Sequence, residues 1–123
     1  MDSRRTLVVA AVLIGLATVM GAFGAHALRS QWSGERLQVY ETAVRYHFYH
    51  ALGLLALGVL LRSADAEVLR WVALLLLTGI VLFSGSLYAL SFGAPRALGA
   101  VTPLGGLLLI AGWLLFAVAI WRR

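Results

Sequence analysis

Four long apolar runs separated by short polar segments constrain this chain more than any other feature: Thr6 to Leu28, about Ala43 to Leu61, Val68 to Leu90 and Val101 to Trp121. Each comes near the roughly 20 residues that a helix needs to cross a hydrocarbon core about 30 Å thick. With so little chain left over, almost everything is helix. The expected fold is all-α, a four-transmembrane-helix integral membrane bundle forming a single domain over residues 1–123. An even number of spans puts both ends on one side of the membrane.

Composition agrees. The chain is 62% hydrophobic and 12% charged, whereas soluble domains are about 45–50% apolar and roughly 25% charged. It has no cysteine, which excludes disulfides, thiolate metal sites and a cysteine nucleophile. The net charge of +5 would suggest nucleic acid in a soluble protein. Here the arginines end apolar runs, where they meet phospholipid headgroups and fix topology, so membrane lipid is the expected partner and nucleic acid is not. Arg4, Arg5, Arg62, Arg70, Arg122 and Arg123 lie with the termini, against Arg29, Arg36, Arg96 and Arg45 opposite. The positive-inside bias therefore places both termini in the cytoplasm.

The first run needs care. Arg4 and Arg5, the apolar stretch and Ala25-His26-Ala27 together imitate a secretory signal with its cleavage site. The stretch exceeds the usual 7–15-residue core of such signals, and a retained helix is expected. Along it Ala11, Gly15, Thr18, Ala22 and His26 share one face. Small residues let another helix approach closely, so Gly15 and Ala22 are read as packing positions and His26 as the end of the packing stripe.

The second helix is expected to begin near Ser33 or Gly34, after Trp32, a headgroup-level anchor. Gln38, Glu41, Thr42, Arg45 and Tyr49 form one stripe, with Glu41 and Arg45 at the i,i+4 spacing that favours an ion pair. On this reading Arg45→Ala lowers thermal stability more than Arg36→Ala, because Glu41 loses its partner near hydrocarbon. A second stripe is Ala43, His47, Ala51 and Gly58, with His50 about 60° round from His47, so both imidazoles are expected in one inter-helix space. The third helix carries Ser84, Tyr88 and Ser91 at i, i+4 and i+7, with Gly85 beside them. In the fourth, Thr102 before Pro103 reads as a cap followed by a first-turn proline, and Gly105, Gly106 and Gly112 give a small face. Nearly all polar side chains of the spans thus fall in the half of the bilayer remote from the termini.

These residues also carry a resemblance. Gly21-Ala-Phe-Gly-Ala-His26-Ala-Leu28, Tyr40-x-Thr42-Ala43-x-Arg45-Tyr46-His47-x-Tyr49-His50-Ala51-Leu52, Phe83-Ser84-Gly85-Ser86-x-Tyr88 and Thr102-Pro-Leu-Gly105-Gly106 followed by Gly112-Trp113 resemble domain-of-unknown-function family 423. Those are small four-helix bacterial membrane proteins, with the related transmembrane protein 256 in animals. The resemblance implies four spans and a bacterial plasma (inner) membrane, and it supplies no catalytic residues.

The polar cluster of His26, Glu41, Arg45, His47, Tyr49, His50, Ser84, Tyr88 and Thr102 admits several readings. Intramembrane ionisable groups are functional candidates by default, and Arg45 with neighbouring histidines and hydroxyls suits an anionic lipid headgroup or a small solute. A non-enzymatic accessory or lipid- or ligand-binding component is the leading expectation, with a membrane-protein partner or a homo-oligomer as further company. No cofactor is expected. The alternative is a metal or haem held by His26, His47 and His50, although no carboxylate is placed to orient those rings. A small transporter is a second alternative, but the first helix lacks the embedded acid of small multidrug exporters. Catalysis is not expected, since neither Ser84 nor Ser86 sits in a nucleophile elbow and no acid orients a base.

Overall fold

In a computed structural model describing residues 1–64 and 66–123, the chain forms four long helices. Helix α1 spans Ser3–Phe23 and continues as a π-helical stretch, Gly24–Leu28. Helices α2 (Gly34–Ser63), α3 (Glu67–Ser91) and α4 (Val101–Trp121) follow, α4 being preceded by a 3₁₀ turn, Arg96–Ala100. All four are long and apolar enough to cross a membrane.

Local chemistry explains three of the helix ends. The Asp2 carboxylate accepts the Arg5 N–H at 2.8 Å and caps α1; the Ser33 hydroxyl accepts the Arg36 N–H and caps α2. Each satisfies a donor that a helix start would otherwise leave bare. Helix α3 stops at Gly93, whose φ of +99° suits a residue without a Cβ. There the Gly93 and Ala94 amides turn back onto the Leu90 and Ala89 carbonyls, closing the helix in a Schellman motif.

One sequence expectation holds and one shifts. Thirty residues make α2 about 45 Å long, so its first turns, carrying Glu35, Arg36 and Gln38, reach beyond the apolar run that begins at Ala43. Thr102 is not the cap of α4, which grows directly out of the 3₁₀ turn with no side-chain cap. Pro103 is still in the first turn, where the missing N–H costs nothing.

Contacts run α1 to α2, α2 to α3 and α3 to α4, which puts α2 and α3 in the middle and α1 and α4 on the flanks. The core lies between Leu54, Leu57 and Leu61 of α2 and Leu69, Val72, Ala73, Leu76 and Ile80 of α3, joined by Ala10 and Leu109. Close approach is deepest at Gly105, where a Cβ would stand 2.3 Å from the Phe83 backbone nitrogen. Val8, Val12, Leu16 and Val19 on α1, and Leu104, Leu107, Ile110 and Leu114 on α4, are exposed. Aliphatic faces of that size suit acyl chains.

The face of α1 that packs is not the expected one. Thr6, Ala10, Ala17, Gly24 and Leu28 are buried, whereas Ala11, Gly15, Thr18, Ala22 and His26 are all exposed, and Gly15 meets nothing within 4 Å. Small residues occupy two faces of this helix, and an apolar solvent gives neither face an advantage by hydrophobicity. Shape complementarity to α2 decides, and it selects the face that lays Leu7 over Gly58 and Gly24 against Tyr40.

Candidate functional site

Polar side chains collect at the end of the helices remote from the termini, and they divide into two groups. The first is a buried ladder between α2, α3 and α4. The Ser84 hydroxyl donates to the Ala43 carbonyl at 2.8 Å, and Nδ1 of His47 pairs with the Tyr88 hydroxyl at 2.9 Å, the rings meeting edge to face. Ser86 and Thr102 share a hydrogen bond that joins α3 to α4. Ser91 donates to the Tyr88 carbonyl, and its own carbonyl accepts the Arg36 Nε–H at 2.6 Å. Nearly every hydroxyl in this group is thereby engaged, and interhelical bonds of this kind contribute about 0.6 kcal/mol each on average in lipid. Their chemistry is register.

One atom departs from that pattern. Nε2 of His47, a residue only 2% exposed, has no hydrogen-bond partner among the described residues. The stripe to which His47 belongs, with Ala43, Ala51 and Gly58, is buried throughout.

The three histidines do not converge. His50 turns Nδ1 back onto the Tyr46 carbonyl of its own helix at 2.7 Å and lies beside Tyr46 and Trp113. His47 faces α1 and α3. The 60° between them on α2 therefore points them to different neighbours rather than into one space, and His26 is exposed on the π-helical end of α1. Among the described residues no group of three histidine, aspartate or glutamate side chains is placed to hold one metal ion, so the alternative of one metal shared by His26, His47 and His50 has no assembled site there.

The second group is open. A cleft of about 520 Å³ runs between α1 and α2, with Gly21, Gly24, Ala25 and Arg29 on one wall and Tyr40, Glu41, Val44, Arg45, Phe48, Tyr49 and Leu52 on the other. Glycines on the α1 side leave the room. Two guanidinium groups, a carboxylate and two phenols here border an apolar wall. The expected ion pair between Glu41 and Arg45 is absent: among the described residues the one ion pair within 4.0 Å is Arg5–Asp2. Both side chains are exposed, and there an i,i+4 pair offers only about 0.2–0.5 kcal/mol against the entropy of fixing two long side chains.

Of the remaining expected residues, Gly105 and Gly112 stand under α3 side chains and backbone in the α3–α4 contact, whereas Gly85 meets nothing within 4 Å. Sequence reasoning passed over two anchors. Arg36 lies 3.9 Å over the Trp32 ring besides donating to Ser91. Tyr40 is fully buried, donates its hydroxyl to the Met20 carbonyl and packs edge-on against Trp32, Tyr88 and Phe92. Its signal was the spacing to Ala43 and His47 along one face of α2.

Residues 20–106 match the profile of a family described as "Protein of unknown function (DUF423)". The UPF0382 membrane protein SH2409 of Staphylococcus haemolyticus is 45% identical over 90% of this chain and 93% of its own length. The UPF0382 membrane protein YwdK of Bacillus subtilis is 43% identical over 92% and 93% respectively. No solved structure matches the chain.

Proposed function

The chain belongs to the DUF423 family of membrane proteins, and from that premise we propose that it is a non-catalytic component that binds a phospholipid headgroup in the cleft between α1 and α2. The observation that carries this reading is the lining of that cleft. Arg29 and Arg45 stand in it without an acidic partner among the described residues, and a planar guanidinium fork matches phosphate oxygens two at a time. Glu41, in the same cleft, offers an acceptor to a headgroup amine. Below them Val44, Phe48 and Leu52 continue the surface along the span, where an acyl chain lies. With both termini in the cytoplasm of a bacterial inner membrane, as the arginine distribution favours, the headgroup enters from the outer leaflet.

Full-length protein purified in mild detergent and examined by native mass spectrometry tests this. The expected spectrum shows a retained adduct of phospholipid mass that is depleted in Arg29→Gln/Arg45→Gln and kept in Arg36→Gln, since Arg36 does not line the cleft. An adduct of equal occupancy in all three proteins, or none in the wild type reconstituted with phospholipid, would refute the reading. The same spectra report whether the protein is a monomer, a homo-oligomer or bound to another membrane protein.

A further inference from the structure

We infer a second, independent phospholipid site at the opposite end of the same α1–α2 seam, where Arg4 and Arg62 hold the phosphate of an anionic lipid. A cleft of about 740 Å³ opens there between the first turn of α1, the last turn of α2 and the first turn of α3. Arg4 and Arg62 line it, Arg70 stands at its α3 side, and Leu7, Val8 and Leu61 supply an apolar floor.

Among the described residues the local acids do not neutralise the two arginines. Asp2, the acid lining the cleft, is committed to its own helix: it caps the Arg5 N–H and pairs with the Arg5 side chain at 3.6 Å. Glu67 faces a separate hollow with Arg70 and Trp71. Neither Arg4 nor Arg62 has an acidic partner within 4.0 Å among the described residues. The frame that holds them is fixed, because the Ser3 hydroxyl donates to the Gly58 carbonyl at 2.8 Å and Leu7 lies against Gly58.

Arginines that only set topology need to be near a span end; they need not share a hollow with an apolar floor. Two guanidiniums above such a floor form a site for a phosphate carried by something apolar. Val8 and Val12 are exposed and lead from the cleft along α1 toward the membrane middle, which is the path of an acyl chain and favours a lipid over a free phosphate ion.

The test titrates phosphatidylglycerol, and separately phosphatidylcholine, into detergent-solubilised full-length protein and counts bound lipid by native mass spectrometry. Arg4→Gln/Arg62→Gln is expected to weaken one phosphatidylglycerol site about tenfold, the loss of one charge-assisted contact set. Arg122→Gln/Arg123→Gln, which removes the same charge at the same end but outside the cleft, is expected to change it less than about twofold. Equal losses in the two variants would reduce the effect to diffuse charge and overturn the site. So would undiminished binding in Arg4→Gln/Arg62→Gln, or displacement of the lipid by millimolar inorganic phosphate. If the double variant fails to fold, Arg62→Gln is read against Arg123→Gln in the same way. Because Arg29→Gln/Arg45→Gln reports on the other cleft, failure at either end is distinguishable from failure at both.

Discussion

The α2–α3 seam and the α1–α2 seam share helix α2 and use it in opposite ways. Toward α3, polar side chains are bonded: the buried Ser84 to Ala43, the buried His47 to Tyr88, and the exposed Arg36 to the carbonyl of the buried Ser91. Toward α1, Glu41, Arg45 and Tyr49 are exposed and border an open cleft with Arg29. The difference teaches how to sort polar residues in a membrane protein. A group satisfied by its neighbours specifies architecture, and a charged group left open to a cleft is available for a ligand.

Tyr40 sits where the two seams meet, so disturbing it should break the comparison most. A Cβ on Gly24 would stand 2.6 Å from the Tyr40 ring. Gly24→Leu should therefore displace that ring from both seams and cost about 1–3 kcal/mol, the range for overpacking. A lowered melting temperature in detergent with altered near-ultraviolet circular dichroism is expected; an unchanged spectrum would mean that the ring does not link the seams.

Within the closed seam, Tyr88→Phe leaves Nδ1 of His47 without its partner, which should cost about 1–3 kcal/mol for an unsatisfied buried group. His47→Leu frees the Tyr88 hydroxyl, which is only partly buried, and removes Nε2, which has no partner among the described residues, so it should cost less. Chemical denaturation of both variants and of the double variant gives the order and the coupling. A greater loss in His47→Leu would show that Nε2 has a role which its surroundings do not reveal.

The smallest expected effect separates the two seams most directly. Arg36→Ala removes a hydrogen bond and a cation–π contact, together about 1 kcal/mol, whereas Arg45→Ala should stay within about 0.5 kcal/mol. This order reverses the one expected from the Glu41–Arg45 spacing. Melting temperatures that fall further in Arg45→Ala would restore the ion pair and close the cleft as a candidate site.

What the sequence determined by itself is the number of helices and the end at which polar groups gather, since span length and the placement of arginines are one-dimensional properties read against a slab of fixed thickness. It also determined that Ala43, His47, Ala51 and Gly58 share a face. It could not choose between the two small-residue faces of α1, direct His47 and His50 to different partners, or tell that Arg36 is tied down and Arg45 is not. Those outcomes depend on which helix lies against which and at what rotation. In an apolar solvent that rotation is set by shape and by individual hydrogen bonds, because lipid gives no helix face the water-excluding preference that makes soluble cores legible in sequence.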